Sequence, residues 1–530
     1  MSTLSVLRRT FTAAATLGVL AGCTATPPSE SPTWSASDLS PGDRAAVRDG
    51  GTLRWAVDAV PASLDVFRPT ATADDALIAH ALLPSLFRVD ERGRPTADPD
   101  YLDGAEVSGG GQAPQTVTYR LNPKAVWSDG KPLSVEDFAA QWKAQQATHP
   151  GYAAIASVGP GAEPHQVKVV FKRPYASWRG LFAPLYPAAG LPASAGPLVL
   201  KSLDAKEGRA SLVRNPHWWG APAKVDGIDF LATSDRLEAL SKGAVDVAAV
   251  EGVIDRPGAA QSADAVDSSA RALKRVESLP GITLHRAAAA AFTQLTLNGV
   301  RGPLADPAVR RAVAAAVDRR AVAEAALRPL GLPVVPLGNH LLMADQEGYQ
   351  DNSGALAATA KKLHLGLNLL YPDGSATAHR AAEALVAGLA PAGIAVHPEA
   401  APADSFHDQL AGRDWDLALF SWPAAAFPAE DERAVYAKPR PGVDGRPTNA
   451  LNYGGTGTEE IDRLFDRAAG EADQKARLKI LQQADARIWQ LGHSVPLFQR
   501  PELVAVRDGV AGVGAYGFGW PRFQDLGFRH

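Results

Sequence analysis

The spacing Gly512-x-Gly514-x-x-Gly517 is that of a loop that cradles a dinucleotide's pyrophosphate. Such a loop must open a helix, yet Pro521 and several aromatics follow, so a glycine- and aromatic-rich surface segment is expected. His397-Pro398-Glu399 has the order of a zinc-deaminase fragment. That chemistry needs a cysteine pair, and Cys23 is the one cysteine present. Asp414 and Asp416 sit at the mouth of an apolar run, where paired carboxylates act as turn and cap residues. There is no His-Glu-x-x-His, no Gly-x-Ser-x-Gly and no phosphate-loop lysine. The 12 histidines are scattered, so a metal site would need tertiary convergence. We therefore expect no catalytic residue, no metal and no cofactor, and do not read the chain as an enzyme.

Cys23 invites a different chemistry. Arg8 and Arg9 precede an apolar run from Phe11 to Leu20, and Leu20-Ala21-Gly22-Cys23 closes it. The run is too short to cross a bilayer and has the layout of a secretory leader over residues 1–22. Leu-Ala-Gly-Cys matches the bacterial lipobox, so Cys23 is the expected lipidation site. Two or more acyl chains there would hold the protein on the outer face of the cell membrane. Arg8-Arg9-Thr10-Phe11 also partly matches a twin-arginine export signal, and export by either route stays open. Without another thiol, disulfides are excluded.

The net charge is −4, and removal of a leader with two arginines and no acid makes the rest more acidic. That balance argues against nucleic acid, whose phosphates need clustered Lys and Arg. With 530 residues, two or three domains are expected.

The elements that must position any site centre on Phe292 to Leu327. Phe292, Leu295 and Leu297 alternate with polar residues as in a strand. After a Pro/Gly break, Asp306 can cap a helix whose first position is Pro307. Val309, Ala312, Val313, Ala316 and Val317 form one apolar stripe, Asp318 can cap a second helix, and Pro329 stops it. Before this stretch, Thr52–Val57, Thr116–Leu121, Gly196–Leu200, Ser211–Arg214 and Ile228–Ala232 read as strands. Asp74–Leu83 reads as a helix, and Ser134 with Asp137 as an approximate capping box. After it, a β-α-β-α-β order runs from Leu365 to Phe420, then amphipathic helices at Glu459–Arg467 and Gln474–Gln490, then a strand at Val495–Phe498. Residues 255–278 show no boundary signals. Alternating strands and helices point to α/β layers.

Several segments resemble, in order, the family 5 solute-binding proteins, the peptide-, nickel- and oligosaccharide-binding lipoproteins of ABC importers. They are Val126-Trp127-Ser128-Asp129-Gly130-Lys131-Pro132, Ala195-Gly196-Pro197, Arg214-Asn215-Pro216-His217-Trp218-Trp219 and Gly243-Ala244-Val245-Asp246. Asn298 with Val309-Arg310-Arg311-Ala312 and Val317-Asp318-Arg319 follows, then Glu460-Ile461-Asp462 and Val495-Pro496-Leu497. Trp127, Asp129, Trp218 and Trp219 are read as scaffold rather than ligand contacts. The resemblance implies an α/β fold of the periplasmic-binding-protein-like class II, large cluster C type. Two α/β lobes, joined by two crossing strands, would close over a ligand, with an extra domain inserted in the first lobe. The expected boundaries are a tether at 23–48, first lobe at 49–83, 186–290 and 494–530, inserted domain at 84–185, and second lobe at 291–493.

The resemblance also implies partners: a peptide-like or other small solute, ABC permease subunits, and the membrane through the anchor on Cys23, for a monomer. In peptide-binding members, a Trp after the strand equivalent to Asp416–Phe420 precedes, by three residues, an Asp that pairs with the peptide's α-amino group. Here Trp422 is present but Ala425 stands at the Asp position, with Glu430 or Asp431 as substitutes. An unpaired buried ammonium is costly, so N-terminal capture of a short peptide is in doubt. Arg380 falls near the position that meets a peptide carboxylate, though a solvated helix-start arginine is equally consistent. Trp422 could stack on peptide planes or sugars. Tyr371, Phe427, Asn339 and His340 are expected on loops facing the cleft. A non-transport regulatory lipoprotein on the same fold, binding a glycolipid such as a phosphatidylinositol mannoside, is the second reading.

Overall fold

The computed structural model describes residues 34–68, 71–110, 113–255, 263–357, 362–441 and 451–530. The leader, Cys23 and the first part of the expected tether lie outside the described residues.

Ten strands build the main sheet: β1 Thr52–Val57, β2 Leu198–Asp204, β3 Arg209–Arg214, β4 Gly227–Ala232, β5 Val247–Ala249, β6 Ile282–Leu297, β7 Leu365–Pro372, β8 Ile394–Ala401, β9 Leu417–Pro423 and β10 Ser494–Arg507. Their order is β2-β3-β4-β1-β5-β10-β6-β9-β7-β8. The first five belong to one lobe, where β4, β1 and β5 run parallel. The last three belong to the other, where β9, β7 and β8 run parallel. Between them β6 and β10, of 16 and 14 residues, pair antiparallel and cross from lobe to lobe.

The sequence predicts only the second-lobe half of each crossing strand. Ala287–Ala291 is a poor strand sequence by composition; Ala287 and Ala288 are drawn into β6 by their ladder with β10, and Ala291 by its pairing with Pro423 of β9. The ladder breaks there. Pairing runs from Ile282↔Arg507 to Ala288↔Pro501 and resumes at Phe292↔Gln499, so three alanines stand opposite Arg500 alone. Pro501 has no N–H to give, which suits a ladder break. The carbonyls of Ala289 and Ala290 accept instead from Gln499 Nε2 (3.0 Å) and the Ala424 amide (2.8 Å).

The helices of the second lobe form where the caps require: α1 Pro307–Ala316 and α2 Arg319–Leu327. The Asp306 and Asp318 carboxylates accept from Ala308 N and Ala321 N. Further on come α3 Ala376–Leu389, α4 Glu459–Gly470 and α5 Gln474–Leu491. A helix at Ala263–Glu277 fills the stretch that lacked boundary signals. In the first lobe a four-stranded antiparallel sheet of Leu102–Gly110, Ala113–Leu121, Gln166–Phe171 and Ile155–Pro160 packs on the helix Val135–Gln145. The capping box of Ser134 and Asp137 is present, and Trp127 Nε1 donates to Asp137 at 3.1 Å. Tyr119 and Phe138 of this inserted part share one apolar cluster with Leu53 and Ile228 of the main sheet.

Two expectations are corrected. Residues 34–48 are not tether: Asp38–Leu39 pairs with Gly514–Ala515, and Val47–Arg48 pairs with Phe528 and Arg529. Asp38 also accepts from Arg286 N (2.8 Å) and lies 2.9 Å from His285 Nδ1. Polar composition resembled a linker because the pairing partners lie at the far end of the chain. The same pairing absorbs the glycine pattern, whose Gly517 amide donates to Glu502 Oε2 at 2.8 Å.

Asn339 and His340 do not face a cleft. They are 1% and 0% exposed, inside the second lobe. His340 N donates to Asp485 Oδ1 at 2.7 Å, its Nδ1 lies 2.7 Å from the same oxygen, and its Nε2 lies 3.0 Å from Ser494 O. Asn339 Oδ1 accepts from the Leu341 and Leu342 amides, both at 2.9 Å. A loop that folds inward must pair its backbone polar groups, and these two side chains do so. His340→Phe keeps a ring but strips the buried Asp485 of a partner. We expect a loss of about 3 kcal/mol, read as a lower denaturation midpoint, with solute affinity unchanged.

Candidate functional site

The lobes touch on both sides of the crossing strands. On one side a hairpin of Phe87–Val89 and Pro95–Ala97 reaches toward the second lobe. At its tip a Cβ on Gly93 would lie 2.9 Å from Gln346 Nε2, and Arg92 Nη1 donates to Asp345 O at 3.4 Å. From the inserted part, Ala176 N donates to Ala469 O (2.6 Å) and Ser177 Oγ to Glu430 Oε2 (2.5 Å). A Cβ on Gly180 would lie 2.8 Å from the Phe427 ring, so only glycine admits that approach. On the other side Asp255 of the first lobe accepts from Ser375 Oγ (2.7 Å) and Thr377 N (2.9 Å), at the N-terminus of α3. This is a shut arrangement.

One space lies between the shut halves, and two more lie on the first lobe, the nearer of them touching the second lobe through Phe427. One cavity of about 560 Å³ is walled by Asp90, Arg92, Arg94, Ser177 and Arg179 from the first lobe, and by Gln346, Phe427, Gln474 and Arg477 from the second. A second, of about 470 Å³, shares Asp90, Thr96, Arg179 and Phe427 with it and is lined by rings: Phe87, Tyr101, Trp218, Trp520 and Phe523. His80 stacks on Trp520 with centroids 4.2 Å apart, and burial pushes its pKa down to about 4, so it faces this cavity as a neutral ring. A third, wider opening of about 1120 Å³ beside Asp58, Arg236, Glu251 and Arg500 is lined by charges of both signs.

Of the residues expected to meet ligand, Phe427 lines both of the first two cavities. Trp422 is half-buried at the end of β9 and stacks on Tyr453 at 5.9 Å. Its indole Nε1 is buried without a partner among the described residues. Tyr371 is 8% exposed, packed in the second-lobe core with its hydroxyl 3.1 Å from His379 Nδ1, and so is not a cleft-facing loop residue. Arg380 is not solvated: it is 4% exposed, and no guanidinium nitrogen finds a partner among the described residues. Burial draws its pKa down. With Asn339 and His340 these lie within the second lobe. Asp414 pairs with Arg301, and Asp416 accepts from Asn368 N at 2.9 Å, as turn residues do.

The cavity walls that the sequence did not disclose are Arg179, Arg477, Phe87 and Trp520. They come from an inserted loop, a helix, a hairpin and the C-terminal return, and no local pattern links them. Glu430, read as a substitute for the missing Asp, closes on Ser177 with its other oxygen buried and unpaired. Burial, foremost, pushes its pKa up to about 7. Among the described residues no cluster of three or more metal-ligating side chains occurs, and no helix is long and apolar enough to cross a membrane.

Residues 112–440 match the model of the bacterial extracellular solute-binding proteins, family 5 Middle. The oligopeptide-binding protein OppA of Mycobacterium tuberculosis is 32% identical over 543 aligned positions, covering 93% of this chain and 87% of that protein. A probable monoacyl phosphatidylinositol tetramannoside-binding protein, LpqW, of the same organism is 28% identical over 57% of this chain and 49% of its own length. Among solved structures, the periplasmic EDTA-binding protein EppA superposes with a TM-score of 0.78 at 23% identity, covering 93% of this chain and 98% of its own. The fold is thus that of the periplasmic binding proteins, and the chain belongs to the family 5 bacterial extracellular solute-binding proteins.

Proposed function

We propose that the protein is an extracytoplasmic, lipid-anchored receptor of an ABC importer, which captures a peptide-like solute between its lobes and presents it to the permease. It binds without turning its ligand over. The observation that carries this reading is the cavity of about 560 Å³ with walls from both lobes, beside two crossing strands whose ladder breaks at Ala289–Ala291. A cleft can desolvate a ligand only when shut, so a bound solute stabilises the shut form. A permease can then tell loaded receptor from empty.

A second reading has one observation in its favour. The ring-lined cavity of about 470 Å³ suits sugar or acyl surfaces, and Ala425 offers no acid for a peptide's amino group. On that reading the chain is a regulatory lipoprotein that holds a glycolipid, the class of ligand named for the relative LpqW.

Mass spectrometry of solute co-purifying with the detergent-solubilised protein separates the two. A peptide supports the receptor and a lipid-linked glycan the regulator; a protein that neither retains nor titrates with peptides ends the receptor reading. Trp422→Ala should weaken solute binding about tenfold, or about 1.4 kcal/mol, in calorimetric titration. Cys23→Ser should move the protein from the membrane pellet to the soluble fraction.

Closure should also depend on pH through Glu430. Its neighbours across and along the interface are Ser177, Tyr175, Asp431 and Arg477. Open and solvated, its carboxyl titrates near the ordinary 4.5; shut, near 7. A raised pKa means the shut form prefers the protonated acid, so this contact contributes fully below 4.5 and fades as pH rises through 7. The solute-free shut fraction, read by interlobe spin-label distances, should fall between about pH 5 and 8, and the part of the fall centred near 7 should be lost in Glu430→Gln, leaving that of Asp431 near 6.

A further inference from the structure

The cavity of about 560 Å³ is lined by four guanidinium groups, Arg92, Arg94, Arg179 and Arg477, against two carboxylates, Asp90 and Glu347. Asp90 is paired with Arg94 at 2.7 Å, and Glu347 accepts from Gln474 Nε2 at 3.0 Å. Neither Arg179 nor Arg477 forms an ion pair with a described carboxylate. Arg179 lies over the Trp178 ring at 4.2 Å to the centroid, and Arg477 Nη1 donates to the Glu471 carbonyl at 3.0 Å. They come from opposite lobes, so closing the cleft drives two cations into one space. Their mutual repulsion lowers the pKa of Arg179, after burial. The acid nearest in charge to Arg477 is Glu430, which is held by Ser177 and half neutral near neutral pH.

Glu471 and Asp473 also act on Arg477 at longer range, but no described carboxylate pairs with either guanidinium, so bringing the two together costs closure energy that an anionic ligand can return. A carboxylate between them would accept hydrogen bonds from both forks and cancel the repulsion. We infer that this cavity is an anion subsite in which a carboxylate of the bound solute bridges Arg179 of the first lobe and Arg477 of the second. The inference rests on the solute-receptor reading and narrows its substrate class to acidic solutes. Phe427, shared with the ring-lined cavity, lets an apolar part of the same solute lie alongside.

The test titrates the detergent-solubilised protein with Ala-Phe-Glu, Ala-Phe-Gln and the C-terminal amide of each. A preference of at least tenfold for the peptide that keeps the engaged carboxylate is expected, with salt dependence. A preference for Glu over Gln identifies a side-chain carboxylate as the bridge, and a preference for acid over amide identifies the terminus. The preference should vanish in Arg179→Gln and shrink in Arg477→Lys, which keeps charge but loses the fork, with both variants melting as the parent does. Peptides that bind alike with or without carboxylates, in parent and variants, overturn the subsite and leave the receptor standing. If no peptide binds, the peptide-receptor reading fails, and citrate becomes the probe. Citrate binding that Arg179→Gln abolishes still supports the subsite, and no citrate binding overturns it.

Discussion

Everything between the lobes depends on one broken ladder. β6 and β10 hold the halves together through pairing at both ends, regular from Ile282 to Ala288 and shifted once more between Thr293 and Gln294, and through unequal numbers of residues where they pass from one lobe to the other. Three alanines opposite one arginine give the backbone slack without exposing its polar groups, because Gln499 and the Ala424 amide take two of the freed carbonyls. Alanine suits the place: it brings no bulk that would have to repack when the angle changes. Ala424 also ties this slack to the segment at the end of β9, so Trp422 and Phe427 sit two and three residues away from the residue that meets the broken ladder.

Around this joint the two halves meet through unlike surfaces. The cavity side is held by isolated polar contacts, Ser177 with Glu430 and Ala176 with Ala469, and by glycines at Gly93 and Gly180 that permit close approach. Contacts of this kind are cheap to part, since water replaces each partner. The residues that line the space are cationic and aromatic, which is the chemistry of a site that desolvates an acid and rests flat groups on rings.

Much of the scaffold was legible because its signals are local. Asp306 and Asp318 announce their helices, Ser134 and Asp137 their capping box, and Phe292, Leu295 and Leu297 their strand. The strands are read short at Ala287–Ala291, where pairing with β10 and β9 and contacts from Gln499 and Ala424, rather than composition, make the residues extended. Residues 34–48 were misread for the same reason, since their partners are at 514–515 and 528–529. The site was least legible. Phe427 was found through its place after a recognisable strand, but Asn339, His340, Tyr371 and Arg380 looked like cleft residues only by loop position. Burial, which decides their role, is a tertiary property. Arg179 and Arg477 lie nearly 300 positions apart in the chain, and only the closed fold shows them facing one space.

Side-chain alternation adds one more consequence. Leu295 and Leu297 of β6 point to a face where they join Ala56, Leu240 and Val250 of the first lobe with Leu367 and Leu417 of the second in one continuous apolar cluster. Phe292 points to the opposite face, toward Phe518, Val89 and Ala426, beside the cavities. A greasy spine therefore runs down the back of the molecule, while the front is a jaw closed by a few polar teeth. Parting the spine would wet many leucines; parting the jaw would wet only the small cluster around Phe518, Leu337 and Met343. Separating the lobes at the back would expose the larger apolar cluster, which makes the front the easier side to part.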